Sequence, residues 1–221
     1  MINTPERSLF WRIVQVPSRI FFTLFSDLKV YGAENIPREG GALLLSSHQS
    51  FFDPVLIGVK LKRPVSYMAK TDLFEDNRFF TWLIRSLHAF PIRRGTADVA
   101  ALKQAISRLQ EGNLLTVFPE GTRTRTGQIG KILPGVIVVI RRAGVPVIPV
   151  VIDGAFESWP RWRKLPKPFR IRIAYGPPMN FDGLNPDEIV ALMGNTLQSM
   201  LDDLRKKSQR TVPKSISTMA V

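Results

Sequence analysis

The chain has no cysteine and only two histidines in 221 residues. The first absence excludes disulfides and thiolate metal sites, and two histidines leave too few ligands for a structural zinc site. No uncharged apolar run approaches the roughly 20 residues that a membrane-spanning helix needs. A signal peptide is not expected either, because Arg12, Pro17 and Arg19 interrupt the apolar N-terminal region and no small-residue cleavage site follows. There is no internal repeat, no low-complexity linker and no Gly-x-Ser-x-Gly elbow for a serine nucleophile. Acidic residues are also scarce. Eighteen Asp and Glu stand against 31 Lys and Arg, a net charge of +13. That balance implies an anionic partner, whether nucleic acid, an acidic membrane surface or a phosphorylated substrate.

Apolar, strand-like runs fall at 28–32, 42–47, 65–69, 89–93, 114–118, 147–152 and 170–175, with helical patterns between them. The alternation predicts an α/β fold, a single domain with a mixed, largely parallel sheet of about seven strands flanked by helices. A chain of this length is long enough to bury one full core. Asp53-Pro54 reads as a helix start with the aspartate as N-cap. Thr96 precedes a helical stretch over 97–110 that stops at Gly112, and Asn185-Pro186-Asp187-Glu188 opens a long helix to about Lys207. The domain is expected over 28–208, with a disordered tail at 209–221.

The segment ahead of the domain is expected to be an amphipathic helix. Phe10, Ile13, Val14, Phe21, Leu24, Phe25 and Leu28 recur at three- and four-residue steps between 8 and 29, with Arg12, Gln15, Arg19, Ser26 and Lys29 on the other side. Pro17 is expected to kink or divide it. Such a stripe packs on its own domain or lies in a membrane interface, and with the positive charge in view residues 1–27 are read as a membrane-contact segment.

Two segments carry chemistry. The first is a buried-strand run, Leu43-Leu44-Leu45, followed by Ser46-Ser47-His48-Gln49-Ser50-Phe51-Phe52-Asp53, which delivers a histidine with an aspartate five residues on. The second is the strand Leu114-Leu115-Thr116-Val117-Phe118 opening into Pro119-Glu120-Gly121-Thr122-Arg123. His48 is a general-base candidate and Asp53 its orienting carboxylate; on one continuous helix the two would point about 140° apart, so His48 is expected on the loop and Asp53 at the helix start. The other histidine, His88, has no acidic residue near it in sequence.

Together with Phe90-Pro91-Ile92-Arg93-Arg94 and Val145-Pro146-Val147-Ile148-Pro149-Val150, these blocks resemble, in order and over nearly the whole chain, the glycerophospholipid acyltransferase family. The resemblance implies transfer of a fatty acyl group from acyl-CoA or acyl carrier protein to a lysophospholipid hydroxyl, most simply 1-acylglycerol-3-phosphate. It implies direct attack by that hydroxyl, without an acyl-enzyme and with no metal and no cofactor beyond the thioester. His48 and Asp53 would be catalytic, and Lys70, Arg94, Glu120, Gly121, Thr122 and Arg123 would bind substrate or support the site. Arg123 could clamp the acceptor phosphate through its forked guanidinium donors, with Lys70 the second candidate that the resemblance suggests and Arg94 a third. For Glu120 the residues leave acceptor binding and support of the site both open.

The expected partners are a membrane lipid acceptor, the acyl thioester donor and an anionic membrane surface, with no nucleic acid, at the cytoplasmic face of the cell membrane as a peripheral protein. The sequence carries no sign of an oligomeric state. Two positions depart from the family pattern: Ser47 stands where asparagine is usual, and Arg93 where an acidic residue is frequent. Arg93 adds charge beside Arg94 and opens the choice of headgroup. Competing readings are another acceptor (a different lysophospholipid, glycerol phosphate or an amino-acid lipid), a thioesterase, or a non-enzymatic protein binding anionic lipid or nucleic acid.

Overall fold

The leucine run sits at the middle of a seven-stranded sheet in the computed structural model, which describes residues 9–75, 77–93 and 98–208. In chain order the strands are β1 (Lys29–Tyr31), β2 (Ala42–Ser46), β3 (Val65–Lys70), β4 (Ala89–Ile92), β5 (Leu114–Val117), β6 (Val147–Asp153) and β7 (Arg172–Tyr175). Their spatial order is β1-β7-β6-β2-β5-β3-β4, parallel throughout except for the β6–β7 pair. The helices are α1 (Leu9–Ser26), α2 (Asp53–Gly58), α3 (Arg78–Ser86), α4 (Val99–Gln110), α5 (Val136–Ala143), the short α6 (Ala155–Ser158) and α7 (Pro186–Lys207).

Alternation along β2 explains why all five of its residues are buried. Leu43 and Leu45 point into a core layer shared with α4, α5 and α7, while Ala42 and Leu44 point into a second layer with α2 and Phe22 of α1. A strand covered on both faces has no use for polar side chains, hence the unbroken apolar run.

Two features concern helix starts. Asp53 is not the N-cap of α2; Phe52 occupies that position without a side-chain cap, because the Asp53 carboxylate turns back to the loop before it. The cap of α4 is Asp98, whose side chain accepts from the N–H of Ala101; Thr96 and Arg94 lie outside the described residues, as does the tail 209–221. Asn185 and Glu188 form the reciprocal capping box of α7 as expected.

The helix α1 is one 18-residue helix, and Pro17 does not divide it. Pro17 and Ile13 both face outward, so the carbonyl that loses its N–H partner lies on the open side, where water can serve it. The inner face is partly polar, contrary to the simple stripe: Gln15 donates to the carbonyls of Gly58 and Leu61 at 2.9 and 2.7 Å, where α2 ends. Trp11 and Phe22 bury beside it, and the edge of Phe22 meets Phe52. At its end the Ile171 N–H donates to the Ser26 carbonyl, and Arg172 pairs with Asp27 at 2.7 Å, holding that carboxyl below its usual range. Left facing solvent are Ile13, Val16, Ile20, Phe21 and Leu24, the last 82% exposed. Among the described residues no helix is long and apolar enough to cross a membrane.

A buried ion pair ties α7 to the loop beyond β5. Arg205 meets Asp153 at 3.3 Å, and its other nitrogens donate to the Gly127 carbonyl at 2.6 Å and to Gln128 at 2.9 Å. Removing one member of such a pair leaves a charge buried alone. Arg205→Ala is therefore expected to cost about 3–5 kcal/mol in urea unfolding; a loss below about 1 kcal/mol would mean that the pair does not hold the loop.

Candidate active site

β2 and β5 are neighbours in register, Leu45 beside Val117, so the residues one to three beyond each strand end meet. This brings His48 against Phe118 and against Glu120, the latter 72 positions away in sequence. The site lies at the carboxyl ends of parallel strands, where side chains can converge on an open crevice.

The two loops are joined through the backbone of His48. Its N–H donates to Glu120 Oε1 at 2.8 Å, and its carbonyl accepts from the Thr124 N–H at 2.8 Å. Its ring stacks on Phe118, centroids 3.9 Å apart and planes 16° from parallel. His48 Nδ1 lies 2.7 Å from Asp53 Oδ2. That oxygen also accepts from the N–H groups of Gln49 and Ser50, at 2.6 and 2.8 Å, so the completely buried carboxylate fixes the loop and the imidazole together. With Nδ1 held by a carboxylate, the neutral ring carries its hydrogen there and leaves Nε2 as the basic nitrogen.

The serines beside His48 are hydrogen-bonded to the main chain. Ser46 and Ser50 donate their hydroxyls to the carbonyls of Ser47 and Trp159, and Ser47 Oγ accepts from the Ile152 N–H. His88 sits apart, half-buried in a left-handed backbone conformation, and burial with nearby Arg108 lowers its pKa. Among the described residues no group of three or more His, Cys, Asp or Glu could hold a metal ion.

His48 opens into a cavity of about 490 Å³ walled mostly by apolar side chains of α1, α2, β3 and α3, among them Trp11, Val55, Val65 and Leu83. Arg123 and Lys70 line the same cavity. The Arg123 guanidinium carbon lies 3.4 Å above the centre of the Phe51 ring, and Lys70 pairs with Asp72. Glu120, Gly121 and Thr122 do not line the cavity. Gly121 makes the turn: its N–H donates to the Phe118 carbonyl, and its φ of 67° suits glycine. Thr122 is exposed beside it. Arg94 lies outside the described residues.

Glu120 bridges the two loops. Its second oxygen accepts from the Gly130 N–H at 2.8 Å, so the carboxylate spans both sides of its own loop and the His48 loop. A Cβ at Gly130 would stand 2.8 Å from that oxygen, which explains the glycine. The partners missed in sequence are Phe51, Phe118, Thr124 and Gly130. The two phenylalanines lie inside the motifs and give a signal in hindsight; Thr124 and Gly130 act through backbone N–H groups, which no residue type reports.

Burial pushes Glu120 from its ordinary 4.5 up to about 7, against the two N–H donors that favour the anion and with nearby Asp53 adding to the rise. Stability linked to this group is thus present below about pH 4.5 and lost as pH rises to about 7. The stability difference between wild type and the non-titrating Glu120→Gln should move in the variant's favour by on the order of 3 kcal/mol across that interval. Urea unfolding at each pH reads it, and a pH-independent difference would contradict the shift.

Comparison with known proteins agrees with this geometry. A family model described as Acyltransferase matches residues 27–153. A 1-acyl-sn-glycerol-3-phosphate acyltransferase of Bacillus subtilis is 27% identical over 86% of this chain and 94% of its own. The enzyme of that name from Pseudomonas aeruginosa is 34% identical over 74% of this chain and 63% of its own. In structure the chain is similar to the 1-acyl-sn-glycerophosphate (LPA) acyltransferase PlsC from Thermotoga maritima, with a TM-score of 0.75 and 28% identity over 89% of this chain and 80% of that one. Both motif-bearing loops fall inside the matched region, and the chain belongs to the acyltransferase family.

Proposed function

We propose that this acyltransferase moves a fatty acyl group from acyl-CoA or acyl carrier protein to the free hydroxyl of 1-acylglycerol-3-phosphate, giving phosphatidate for phospholipid biosynthesis. The observation that carries this reading is the His48–Asp53 pair opening into an apolar cavity beside two cations, Arg123 and Lys70. The names of the similar enzymes support the choice of acceptor.

In this mechanism Nε2 of His48 takes the proton of the acceptor hydroxyl as its oxygen attacks the thioester carbonyl carbon. The carbon–sulfur bond then breaks, and the imidazolium returns the proton to the leaving thiolate. Asp53 keeps the tautomer and stabilises the imidazolium, as the carboxylate does in hydrolytic triads. Phe118, flat against the ring, restricts its rotation. Beyond the thioester no cofactor enters these steps.

The acceptor phosphate meets Arg123 and Lys70. Phe51 beneath Arg123 limits where the fork can point, and the exposed Lys70–Asp72 pair is weak enough in water to yield to a phosphate. Gly121 and Thr122 serve by shaping the turn that carries Arg123. The cavity holds acyl chain, its size falling within the usual range of about 300–1,000 Å³ for ligand sites. Because α1 forms one wall, its outward apolar face is the natural contact with the bilayer from which the lipid comes. Arg12 and Arg19 border that face, which suits a peripheral enzyme at the cytoplasmic leaflet.

His48→Ala is expected to lower turnover by about 10² to 10⁴ or more with the fold retained, and Asp53→Asn by a similar or smaller factor. Near-normal turnover in a folded His48→Ala chain would remove the mechanism. Arg123→Ala and Lys70→Ala should each raise the acceptor KM more than the donor KM, and Phe51→Leu should reproduce part of the Arg123 effect. Unchanged acceptor KM in all three would reject the phosphate assignment.

A further inference from the structure

The connection from α6 to β7 is built as a closed loop. The Lys167 N–H donates to the Ser158 carbonyl at 2.9 Å, and the buried Ser158 hydroxyl donates to the Lys167 carbonyl at 2.7 Å, so the ends of 159–166 are clasped together. Inside, the Trp159 indole donates to the Arg163 carbonyl at 3.0 Å, the Arg163 N–H to the Pro160 carbonyl at 3.1 Å, and the Arg163 guanidinium to the Glu157 carbonyl at 3.2 Å. A compact surface loop with touching ends and its own internal bonds is of the kind often used for function.

What this ordered loop turns outward is unusual for water. Trp162 is 61% exposed and Leu165 75%, and around them Arg161, Lys164, Lys167 and Arg170 are exposed. No Asp or Glu occurs from 158 through 181, so the charge here has one sign. An apolar projection rimmed by cations marks a contact surface.

Its position in the molecule is equally specific. Trp159, at the base of the loop, packs on Phe51 and Phe52 with centroids 5.0 and 4.8 Å apart. Phe52 meets Phe22, which meets Phe21 on the outward face of α1. One aromatic ridge thus links the loop to the exposed face of α1 and passes under Arg123 at the cavity.

We propose that residues 159–170 form a second lipid-surface contact, in which Trp162 and Leu165 enter the boundary between headgroups and acyl chains while the four cations meet anionic headgroups. With α1 on the other side of the aromatic ridge, the loop seats the cavity against the bilayer. The proposal rests on the reading that the acceptor is a membrane lipid. An acidic carrier protein would also be drawn to a basic face. Continuity with α1 and the chemistry of the projection favour the bilayer: an indole ring suits the headgroup level, a leucine has no polar function to offer a partner, and long cations can lay their stems along apolar surface.

The test uses the full chain with vesicles of phosphatidylcholine, with and without phosphatidylglycerol, read by co-sedimentation. Trp162→Ser/Leu165→Ser and Arg161→Ser/Lys164→Ser should each partition about tenfold less onto the anionic vesicles, the second losing the preference for phosphatidylglycerol. With acyl-CoA and a short-chain lysophosphatidate below its micellar concentration, kcat, KM and thermal midpoint should match wild type. Leu165→Ser alone, at the most exposed position, should still weaken vesicle binding if the double variant is unstable. Vesicle binding equal to wild type in all three overturns the proposal, and an accompanying rise in the KM of a carrier-protein thioester assigns the face to a protein donor instead. Reduced turnover of the monomeric acceptor with a lowered thermal midpoint also overturns it, as a structural role. Failure of wild type to acylate lysophosphatidate removes the acceptor reading, whereas the vesicle comparison still decides the anchor.

Discussion

One histidine is held by two buried carboxylates, and the site depends on their division of labour. Asp53 binds the ring through Nδ1 and closes the loop through two N–H groups; Glu120 binds the backbone N–H of the same residue from the loop after the neighbouring strand. Ring and main chain are therefore fixed by different elements. Hydrogen bonds to a carboxylate in a buried site are stronger than neutral ones, and leaving any donor unmatched there is costly. The cost of burying the second charge is visible in Glu120, whose pKa rises to about 7. The two loops thereby acquire a single geometry.

The sheet supplies the constraint that makes this possible. A parallel pairing of β2 with β5 requires a return of the chain from the far edge of the sheet, after β3 and β4, into the space beside β2. Only that order makes neighbours of loops 72 residues apart. Arg205 of α7 then secures the outer end of the β5 loop at Gly127 and Gln128, so a helix near the end of the domain supports a site built around its first long strand.

Much of this was legible from residue patterns. All seven strands lie within two residues of their expected ends, because strands buried on both faces are continuous apolar runs bounded by turns. His48 and Asp53 were legible through spacing and through the company of the second motif. The order of the strands was not, since it depends on pairing energies spread over the whole sheet. Nor was the true use of Asp53: Asp-Pro before a helical run is the sequence of a cap, and only the position of the imidazole shows why the carboxylate points elsewhere. Gln15 misled in the same way. A polar residue on a helix is expected to face water, yet here it meets the carbonyls at the end of α2, and large apolar residues take the open face. Local periodicity registers that two faces exist without registering which one has a partner.

The proposed mechanism is direct transfer, in which the acceptor hydroxyl would attack the thioester and no acyl group would rest on the protein. The serines near His48 are bonded to main-chain groups, and His48 itself lines the apolar cavity. The most direct test is the intact mass of the purified chain after incubation with an acyl thioester alone, alongside the release of thiol before and after lysophosphatidate is added. The account predicts an unmodified mass and thiol release that begins only with the acceptor. A chain heavier by one acyl group, with thiol released in a burst before any acceptor is present, would contradict it.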